Sequence, residues 1–431
     1  MSLEAKSKKI GLFGMTRVER GWVLYDWANS VYATIMMAAL FPVFFTATAN
    51  EQLGGALGDY WWGIGTAVSM AVVAVMAPFV GALADFKGYK KKLFAFFLVV
   101  GLAFTLFCAL TDRWLWMLIG YALSNIGFSG SCLVYDSFLP DVTTGERMDA
   151  VSSYGYALGY IGGSTIPFLV AIGLMQVLPD AALAVKISVV IAVVWWAGFS
   201  IPFLKNVKQT HFIEKPERGA VKHVFGNVVN TAKKIFKDKK IFYFMLAYFF
   251  YIDGVGTVIK MSTSYGTTLG LDTTGMILAL LVTQLVAFPC SILFSRMSKK
   301  FGSLQMLMAA VVVYLGICIV GFVMGFGLEE NWFGLGVGQV LFWVLATMVG
   351  TVQGGIQAIS RSHFARLVKP ENAGEFFGFF DIFGKFASVL GPALYAVMRA
   401  ATGRSSLAIL SIIALFLAAL VIMAVKRKEM R

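Results

Sequence analysis

Apolar residues are gathered along the chain into blocks of about 20, separated by short polar stretches. A helix needs about 20 apolar residues to cross a hydrocarbon core of about 30 Å, so each block predicts one membrane-spanning helix. We predict twelve spans, numbered in chain order: 19–47, 60–84, 91–110, 114–138, 150–174, 181–204, 241–268, 274–297, 303–326, 332–360, 374–398 and 405–425. The pattern predicts an all-α polytopic membrane protein.

One long polar connection, residues 205–240, divides the spans into two sets of six. We therefore predict an N-terminal six-helix half (1–204), a basic cytoplasmic linker (205–240) and a C-terminal six-helix half (241–431). Within the linker, "VFGNVVNTAKKIFKDKK" is amphipathic and predicts a helix lying on the inner membrane surface, where it serves as a packing strut.

The two halves resemble each other in sequence. Laying "YDWANSV" over "YIDGVGTV" pairs Asp26 with Asp253 and Ser30 with Thr257. A single constant shift in numbering pairs Gly130 with Gly355, Ser137 with Ser362, Glu146 with Glu371, Gly159 with Gly384, and Pro167 with Pro392. Six plus six spans with an internal repeat is an architecture that supports alternating access to a site near the membrane midplane.

Composition and charge agree with this interpretation. The chain is 58% hydrophobic and 14% charged, whereas about a quarter of the residues of a soluble protein are charged. The net charge is +13, and the Lys and Arg residues lie in the termini and the even-numbered loops. The exceptions are Arg113, Lys186, Arg399, Arg404, Lys260 and Lys385. This asymmetry predicts cytoplasmic termini and not a nucleic-acid surface. The chain has no Asn-x-Ser/Thr sequon, which favours a bacterial plasma membrane.

The sequence gives no sign of metal or nucleotide chemistry. The four cysteines (Cys108, Cys132, Cys290 and Cys318) lie in spans without CxxC spacing, as expected for packing residues, and no Walker motif occurs. The only histidine near a span, His363, lies at the inner end of span 10 without a nucleophile–base or metal-ligand constellation. We expect neither a metal nor another cofactor, and we disfavour a membrane enzyme or receptor.

The connection between spans 2 and 3 carries the most specific short motif, "GALADFKGYKKKLF". Gly81 permits close helix approach and Gly88 a tight turn. Asp85, beside Lys87 and the lysine run 90–92, is placed to bridge to a neighbouring helix, either by an ion pair or at a helix N-terminus. Ordinary positive-inside anchoring would explain the lysines but not the spacing of the glycines and the acid.

This motif resembles the loop motif of the major facilitator superfamily, in which the aspartate latches the cytoplasmic gate. "YDWANSVYAT", "YFFYIDGVGT", "VYDSFLPDV" and "QGGIQAISRSHFARLVKPE", followed by "FFGFF", are similar to the autophagy-related vacuolar amino-acid effluxers of fungi and their bacterial relatives. The resemblance implies a transporter whose helices 1, 4, 7 and 10 line a central cavity. The loop motif implies that Gly81, Asp85, Gly88 and Lys91 belong to a cytoplasmic gate, and we add Asp136 to this gate from its position at the end of span 4.

Polar residues within the spans are the candidate substrate pathway, since a charge in the membrane needs a partner or a function. The candidates are Asp26, Asn29, Tyr32, Asp253, Lys260, Gln353, Gln357, Arg361, Asp381 and Lys385. Asp253 has no close intrahelical base and is the candidate proton carrier. Asp381 and Lys385 are spaced to pair within one helix, which leaves a structural role open. Interhelical hydrogen bonding is the alternative for the uncharged members.

Acidic and basic residues also lie at the predicted inner ends of several spans. Asp26 could pair with Arg361, and Asp136 and Asp141 at the end of span 4 align with Arg361 and Arg366 of span 10. Acids on one half and bases on the other suit an inner gate. Solvated helix ends are the simpler expectation for Asp141 and Arg366.

The leading hypothesis is a monomeric secondary transporter in the plasma membrane that moves a small polar or zwitterionic, amino-acid-like solute, with protons as a candidate coupling ion. The acids suit an ammonium group, and Lys or Arg suits a carboxylate. The alternative keeps the fold and exports amphipathic drugs or lipids, because 38 Phe and 20 Met residues could line an apolar pathway. Neither hypothesis involves nucleic acid.

Overall fold

The computed structural model describes residues 14–214 and 220–430, excluding the side chains of 220–225, 227 and 386–389. Within this part of the chain, twelve helices are long and apolar enough to cross a membrane, which confirms the predicted all-α fold. In order, spans 1 to 12 are Arg17–Leu53, Gly58–Ala84, Lys90–Leu110, Trp114–Ser137, Met148–Val177, Ala181–Asn206, Lys239–Thr268, Thr273–Phe301, Ser303–Glu329, Leu335–Leu367, Pro370–Thr402 and Ser405–Val425.

The helices extend beyond several predicted span edges. Span 1 ends at Leu53 instead of residue 47, and span 10 ends at Leu367 instead of residue 360. The added turns contain polar residues such as Glu51 and His363, which end an apolar block without ending a helix. Hydropathy therefore locates the apolar part of these helices and underestimates their length.

Spans 1 and 5 each contain a seven-residue π-helical stretch, which the apolar pattern did not predict. In span 1 it is Ala33–Ala39, and in span 5 it is Gly159–Thr165. A proline follows closely in each case, Pro42 and Pro167. Because proline lacks an N–H and its ring crowds the preceding turn, a wider turn before it relieves the mismatch.

The π-helical stretch of span 5 lets that span lie against span 1. A Cβ at Gly162 would come within 2.0 Å of the Trp27 ring, and one at Gly163 would lie 2.7 Å from the Trp27 carbonyl oxygen. Glycine is required at this close approach because any side chain would overlap the neighbouring helix.

Internal contacts divide the chain into two compact units. Unit 1 comprises Met1–Thr231 and Val368–Phe379, and unit 2 comprises Ala232–Leu367 and Phe380–Arg431. The first turns of span 11 therefore cluster with unit 1. The predicted domain boundaries at 204 and 240 stay a prediction.

The linker contains the expected helix, Ala220–Lys237. It ends before the last residues of the predicted stretch because Asp238 begins the next helix as an N-cap. The Asp238 carboxylate accepts hydrogen bonds from the backbone N–H groups of Lys240 and Ile241 at 2.9 and 3.3 Å.

Candidate transport pathway and gate residues

Asp253 is the most isolated of the predicted pathway acids. It lies on span 7 inside unit 2, its side chain is buried, and neither carboxylate oxygen has a donor in hydrogen-bonding geometry among the described residues. The Thr257 hydroxyl donates to the Asp253 backbone carbonyl oxygen at 2.7 Å, not to the carboxylate. The backbone of Gly391 passes beside it, so that a Cβ there would lie 3.1 Å from Oδ1.

The other charged candidates of unit 2 differ in their pairing. Asp381 and Lys385 form the ion pair that their spacing predicts, and both side chains are partly accessible. Lys260, seven residues beyond Asp253 on span 7, is exposed and forms no ion pair with a described residue. Unit 2 thus holds a buried acid and an accessible base on one helix.

Span 10 carries the predicted polar stripe. Gln353 is 7% exposed and Arg361 is 3% exposed, while Gln357 is half-buried. Neither glutamine amide makes a hydrogen bond with a described residue. One turn from the stripe, Ser360 and the Tyr251 hydroxyl share a 2.6 Å hydrogen bond that fixes span 10 against span 7.

The span 1 candidates lie in a tightly packed part of unit 1. Asp26 and Asn29 are buried, with 9% and 7% of their surface exposed. Tyr32 is fully buried, shares a 2.7 Å hydrogen bond with Ser124, and stacks on Phe128 at a ring distance of 4.5 Å. In this structure Tyr32 is therefore an interhelical packing residue, and its pathway role stays a prediction.

Asp85 reaches a helix N-terminus, one of the two partners that the sequence left open. Its Oδ1 accepts a hydrogen bond from the N–H of Gly374 at 2.7 Å, and its Oδ2 accepts one from the N–H of Glu375 at 2.9 Å. We call this contact the Asp85 latch. Gly81 allows it, because a Cβ there would lie 2.1 Å from the Gly374 carbonyl oxygen. Gly88, at φ 75°, makes the predicted tight turn.

Electrostatic effects on the Asp85 latch oppose one another. Burial raises the pKa of Asp85 to about 7, although Lys90 and the two backbone donors favour the charged carboxylate. The nearby Glu375 adds to the upward shift. The latch therefore changes charge near neutral pH.

Asp141 is not the solvated helix end that we expected. Its side chain is fully buried, and its Oδ2 accepts a 2.9 Å hydrogen bond from Lys90, whose side chain is equally buried. Burial alone would raise the pKa of Asp141, but the His211 hydrogen bond and the Lys90 charge outweigh it and lower the pKa to about 2. The expectation was wrong because the chain after span 6 folds back over this position.

That returning segment, residues 207–214, forms what we call the strap. Thr210 and His211 both donate backbone N–H groups to Oδ1 of Asp141 at 2.7 Å, and the His211 ring lies 3.2 Å from the same atom. The hydrogen bond to Asp141 raises the pKa of His211. The strap also pairs with the Asp85 loop through a backbone hydrogen bond from the N–H of Ile213 to the Asp85 carbonyl oxygen at 2.8 Å.

Gln209 is the strap residue that holds the Asp85 loop most directly. Its Nε2 donates to the carbonyl oxygens of Ala84 and Phe86 at 3.0 and 3.2 Å, and its Oε1 accepts from the Gly88 N–H at 2.9 Å. Sequence reasoning missed Gln209, His211 and the burial of Lys90, because each depends on contacts between segments that are far apart in the chain.

The remaining predicted gate residues are placed as follows. The Lys91 ammonium donates to the Val207 carbonyl oxygen at 3.0 Å, so it too contacts the strap. Asp136 is half-buried near the end of span 4. Arg366, expected to be solvated, is half-buried and donates to the Ser303 hydroxyl at 2.6 Å. Among the described residues, no cluster of His, Cys, Asp or Glu could hold a metal ion.

Most of the chain matches one known family of membrane proteins. The profile of the family described as "Vacuole effluxer Atg22 like" matches residues 64–147 and 141–429. The chain is 43% identical over 423 residues to the Bacillus subtilis MFS-type transporter YxiO, covering 96% of each protein. It is 22% identical over 497 residues to autophagy-related protein 22-1 of Penicillium rubens, covering 87% of this chain and 83% of that one.

Solved structures share the fold at low sequence identity. A bacterial homologue of the iron transporter ferroportin superposes with a TM-score of 0.69 at 13% identity, covering 96% of this chain and 98% of that one. The human organic anion transporter MFSD10 gives a TM-score of 0.66 at 13% identity, with 94% and 98% covered. These likenesses establish the major facilitator fold and nothing about cargo.

Proposed function

Because the chain belongs to the Atg22-like vacuole effluxer family of major facilitator transporters and is not an enzyme, we propose that it moves a small polar or zwitterionic solute, such as an amino acid, by alternating access. Protons are the proposed coupling ion. The proposed location is a bacterial plasma membrane with both termini in the cytoplasm.

The observation that carries this proposal is the buried Asp253 carboxyl group. A charge inside a membrane without donors costs at least about 2.5–3.5 kcal/mol on insertion scales, so the neutral, protonated form is favoured there. A carboxyl group that takes a proton when dry and releases it when wetted can couple proton movement to a change of access. Asp253 occupies such a position in unit 2.

The proposed substrate class rests on the polar candidates of unit 2. Lys260 is an accessible cation that suits a substrate carboxylate, and Asp253 or Asp381 suits a substrate ammonium group. The amides of Gln353 and Gln357 offer neutral hydrogen bonds to the same solute. A zwitterion matches this set of groups better than an apolar cargo does, which favours it over amphipathic export.

In this proposal the Asp85 latch belongs to the cytoplasmic gate. The carboxylate holds the first N–H groups of a long helix, which carry the positive end of the helix dipole. Breaking two such hydrogen bonds in a buried site allows that helix end to move. Neutralising the carboxylate would weaken the attraction, so the state of the gate would depend on pH near 7.

Transport in reconstituted vesicles tests the cargo and the coupling separately. The wild-type protein is expected to exchange labelled amino acids between vesicle compartments and to accumulate them when a pH gradient is imposed in one orientation. Asp253→Asn is expected to keep exchange but to lose accumulation, because the neutral amide cannot carry a proton. Asp238→Asn, an N-cap replacement on the same helix, is the matched control and should behave like wild type.

The two parts of the proposal fail in different ways. Absence of any amino-acid exchange by wild type would overturn the cargo class. Exchange with equal accumulation by wild type and Asp253→Asn would retain the cargo and overturn the role of Asp253 in proton coupling.

A further inference from the structure

Unit 2 contains a cavity of about 130 Å³ near the predicted outer ends of its helices. Spans 7 to 12 all contribute to its wall, which is mostly apolar. Ile259 and Leu280 line it and are each more than a third exposed, so this side of the wall lies at the surface of unit 2. Among the described residues, no charged side chain lines the cavity.

Two glutamine amides face this space without partners. Gln353 is 93% buried and makes no hydrogen bond with a described residue. The Oε1 atom of Gln284 is buried and likewise has no donor among the described residues. Leaving a buried polar group unpaired costs about 1–3 kcal/mol, so an empty cavity is an unfavourable setting for the Gln284 oxygen.

Three of the four hydroxyl groups of the wall, those of Ser262, Tyr265 and Thr283, are already bonded within the protein. The Tyr265 hydroxyl donates to the Gly321 carbonyl oxygen at 2.9 Å, and the Thr283 hydroxyl donates to the Ala346 carbonyl oxygen at 3.0 Å. The two glutamines are therefore among the groups left for a ligand. The unpaired Gln284 oxygen in particular requires a donor.

The internal repeat shows how the cavity arises. The constant shift that pairs Gly130 with Gly355 also pairs Tyr121 with Ala346 and Phe128 with Gln353. In unit 1 these two rings fill space: Tyr121 lies 4.1 Å from Trp62, and Phe128 lies 4.5 Å from Tyr32, measured between ring centroids. Alanine and glutamine replace two large rings in unit 2, and lost side-chain volume that neighbours do not refill becomes a cavity.

We propose that this cavity is a binding site for a small uncharged molecule that has an apolar body and one hydrogen-bond donor, such as a phenol. An apolar cavity of about 150 Å³ in another protein stays dry and binds benzene, so the volume here suits a body of about six to eight heavy atoms. The ligand hydroxyl would donate to the Gln284 oxygen and accept from a glutamine amide. The cavity shares Gln353 with the proposed cargo pathway, but binding of a phenol here does not require that the cargo be a zwitterion.

Binding of p-cresol, toluene and benzoate to the purified full-length protein tests the site. We expect p-cresol to bind by equilibrium dialysis and to raise the melting temperature, toluene to bind more weakly, and benzoate not to bind because the wall offers no cation. Gln284→Leu and Gln353→Leu should each weaken p-cresol binding about three- to tenfold, as expected for one lost hydrogen bond, and leave toluene binding unchanged. Gln305→Leu, a glutamine of unit 2 outside the wall, is the control.

Filling the cavity with the residues of unit 1 provides the second test. The double variant Ala346→Tyr with Gln353→Phe should abolish binding of both p-cresol and toluene. If that variant fails to fold, p-cresol binding to the two single leucine variants tests the proposal instead. No binding to wild type, or equal binding of p-cresol and toluene to wild type and to the leucine variants, would overturn the proposal.

Discussion

At the scale of single residues, Asp85 is held by opposing forces. Burial disfavours its charge, whereas two backbone N–H groups and Lys90 favour it, and the result is a pKa of about 7. An unfolded aspartate titrates near pH 3.9, so the folded protein binds the additional proton between about pH 4 and 7. The contribution of Asp85 to the free energy of unfolding therefore falls as pH rises through this window.

Replacing Asp85 by asparagine should remove this pH dependence. Asp85→Asn cannot titrate, so its melting temperature should decline less between pH 4.5 and 8 than that of wild type. Intrinsic fluorescence melts at several pH values give the two slopes. Parallel slopes would show that Asp85 does not titrate in this range.

The buried pair of Lys90 and Asp141 gives a second prediction. Asp141→Asn leaves the buried Lys90 ammonium uncompensated and should destabilise unit 1 by about 3–5 kcal/mol. Adding Lys90→Met should recover part of this lost stability because it removes the unpaired, buried ammonium group. Thermal unfolding measures both effects.

The control is the exposed pair of Lys87 and Glu214 in the same region. Glu214→Gln should cost less than about 1 kcal/mol, because solvent screens an exposed pair. Equal losses of stability in Glu214→Gln and Asp141→Asn would contradict the expected difference between an exposed and a buried ion pair.

The two acids also show what the sequence could predict at this scale. The motif around Asp85 predicted a bridge to a neighbouring helix and left open whether its partner was an ion-pairing base or a helix N-terminus. The lysine run 90–92 looked like uniform membrane anchoring, and nothing local indicates that Lys90 alone is buried. Its partners, the Ser137 carbonyl oxygen and the Asp141 carboxylate, lie 47 and 51 residues later in the chain.

At the scale of elements, the strap predicts local protection of the Asp85 loop. Gln209→Ala removes its hydrogen bonds to the loop, including the one from the Gly88 N–H. Amide hydrogen exchange across 85–88 should become about tenfold faster, since loss of one to two net hydrogen bonds lowers the opening free energy by about 1 kcal/mol or more.

Hydrogen exchange monitored by mass spectrometry measures this change. Lys208→Ala, at an exposed strap position, is the control and should leave the exchange rate as in wild type. Unchanged exchange in Gln209→Ala would mean that Gln209 does not hold the loop.

The π-helical stretch of span 5 gives a further prediction at this scale. In Gly163→Ala the new methyl group would lie 2.4 Å from Ser30 Cβ and 2.7 Å from a backbone oxygen, and such overpacking costs about 1–3 kcal/mol. Gly173→Ala on the same span has nothing within 4 Å and should be neutral or stabilising. Melting temperatures of the two variants compare them. A Gly163→Ala protein as stable as Gly173→Ala would contradict the close approach of spans 1 and 5 at Gly163.

The helices also show what the apolar pattern of the sequence could and could not predict. It located all twelve spans, because a hydrocarbon core demands about 20 apolar residues wherever the chain crosses. It could not show the π-helical stretches, since a wider turn leaves the composition unchanged. Pro42 and Pro167 were the available local signals for both.

At the scale of the whole molecule, the distribution of basic residues predicts the orientation in the membrane. Gly55→Cys lies in a predicted outer loop and Gly145→Cys in a predicted inner loop, and both positions are exposed. An impermeant maleimide should label residue 55 in intact cells and residue 145 only after permeabilisation. The reverse pattern would invert the proposed topology. The wild-type protein controls for labelling of its own cysteines.

The strap and the Asp85 latch also impose an order in time. Gln209 leaves the ribosome 124 residues after Asp85, and Glu375 follows Asp85 by 290 residues. At 5 to 20 residues per second, the second interval is about 15 to 60 s. During biosynthesis the strap can thus fasten the Asp85 loop while its carboxylate still lacks the helix that it will later hold. Once the first six spans have assembled, the Asp85 carboxylate can therefore already be in place to bind the first turn of span 11.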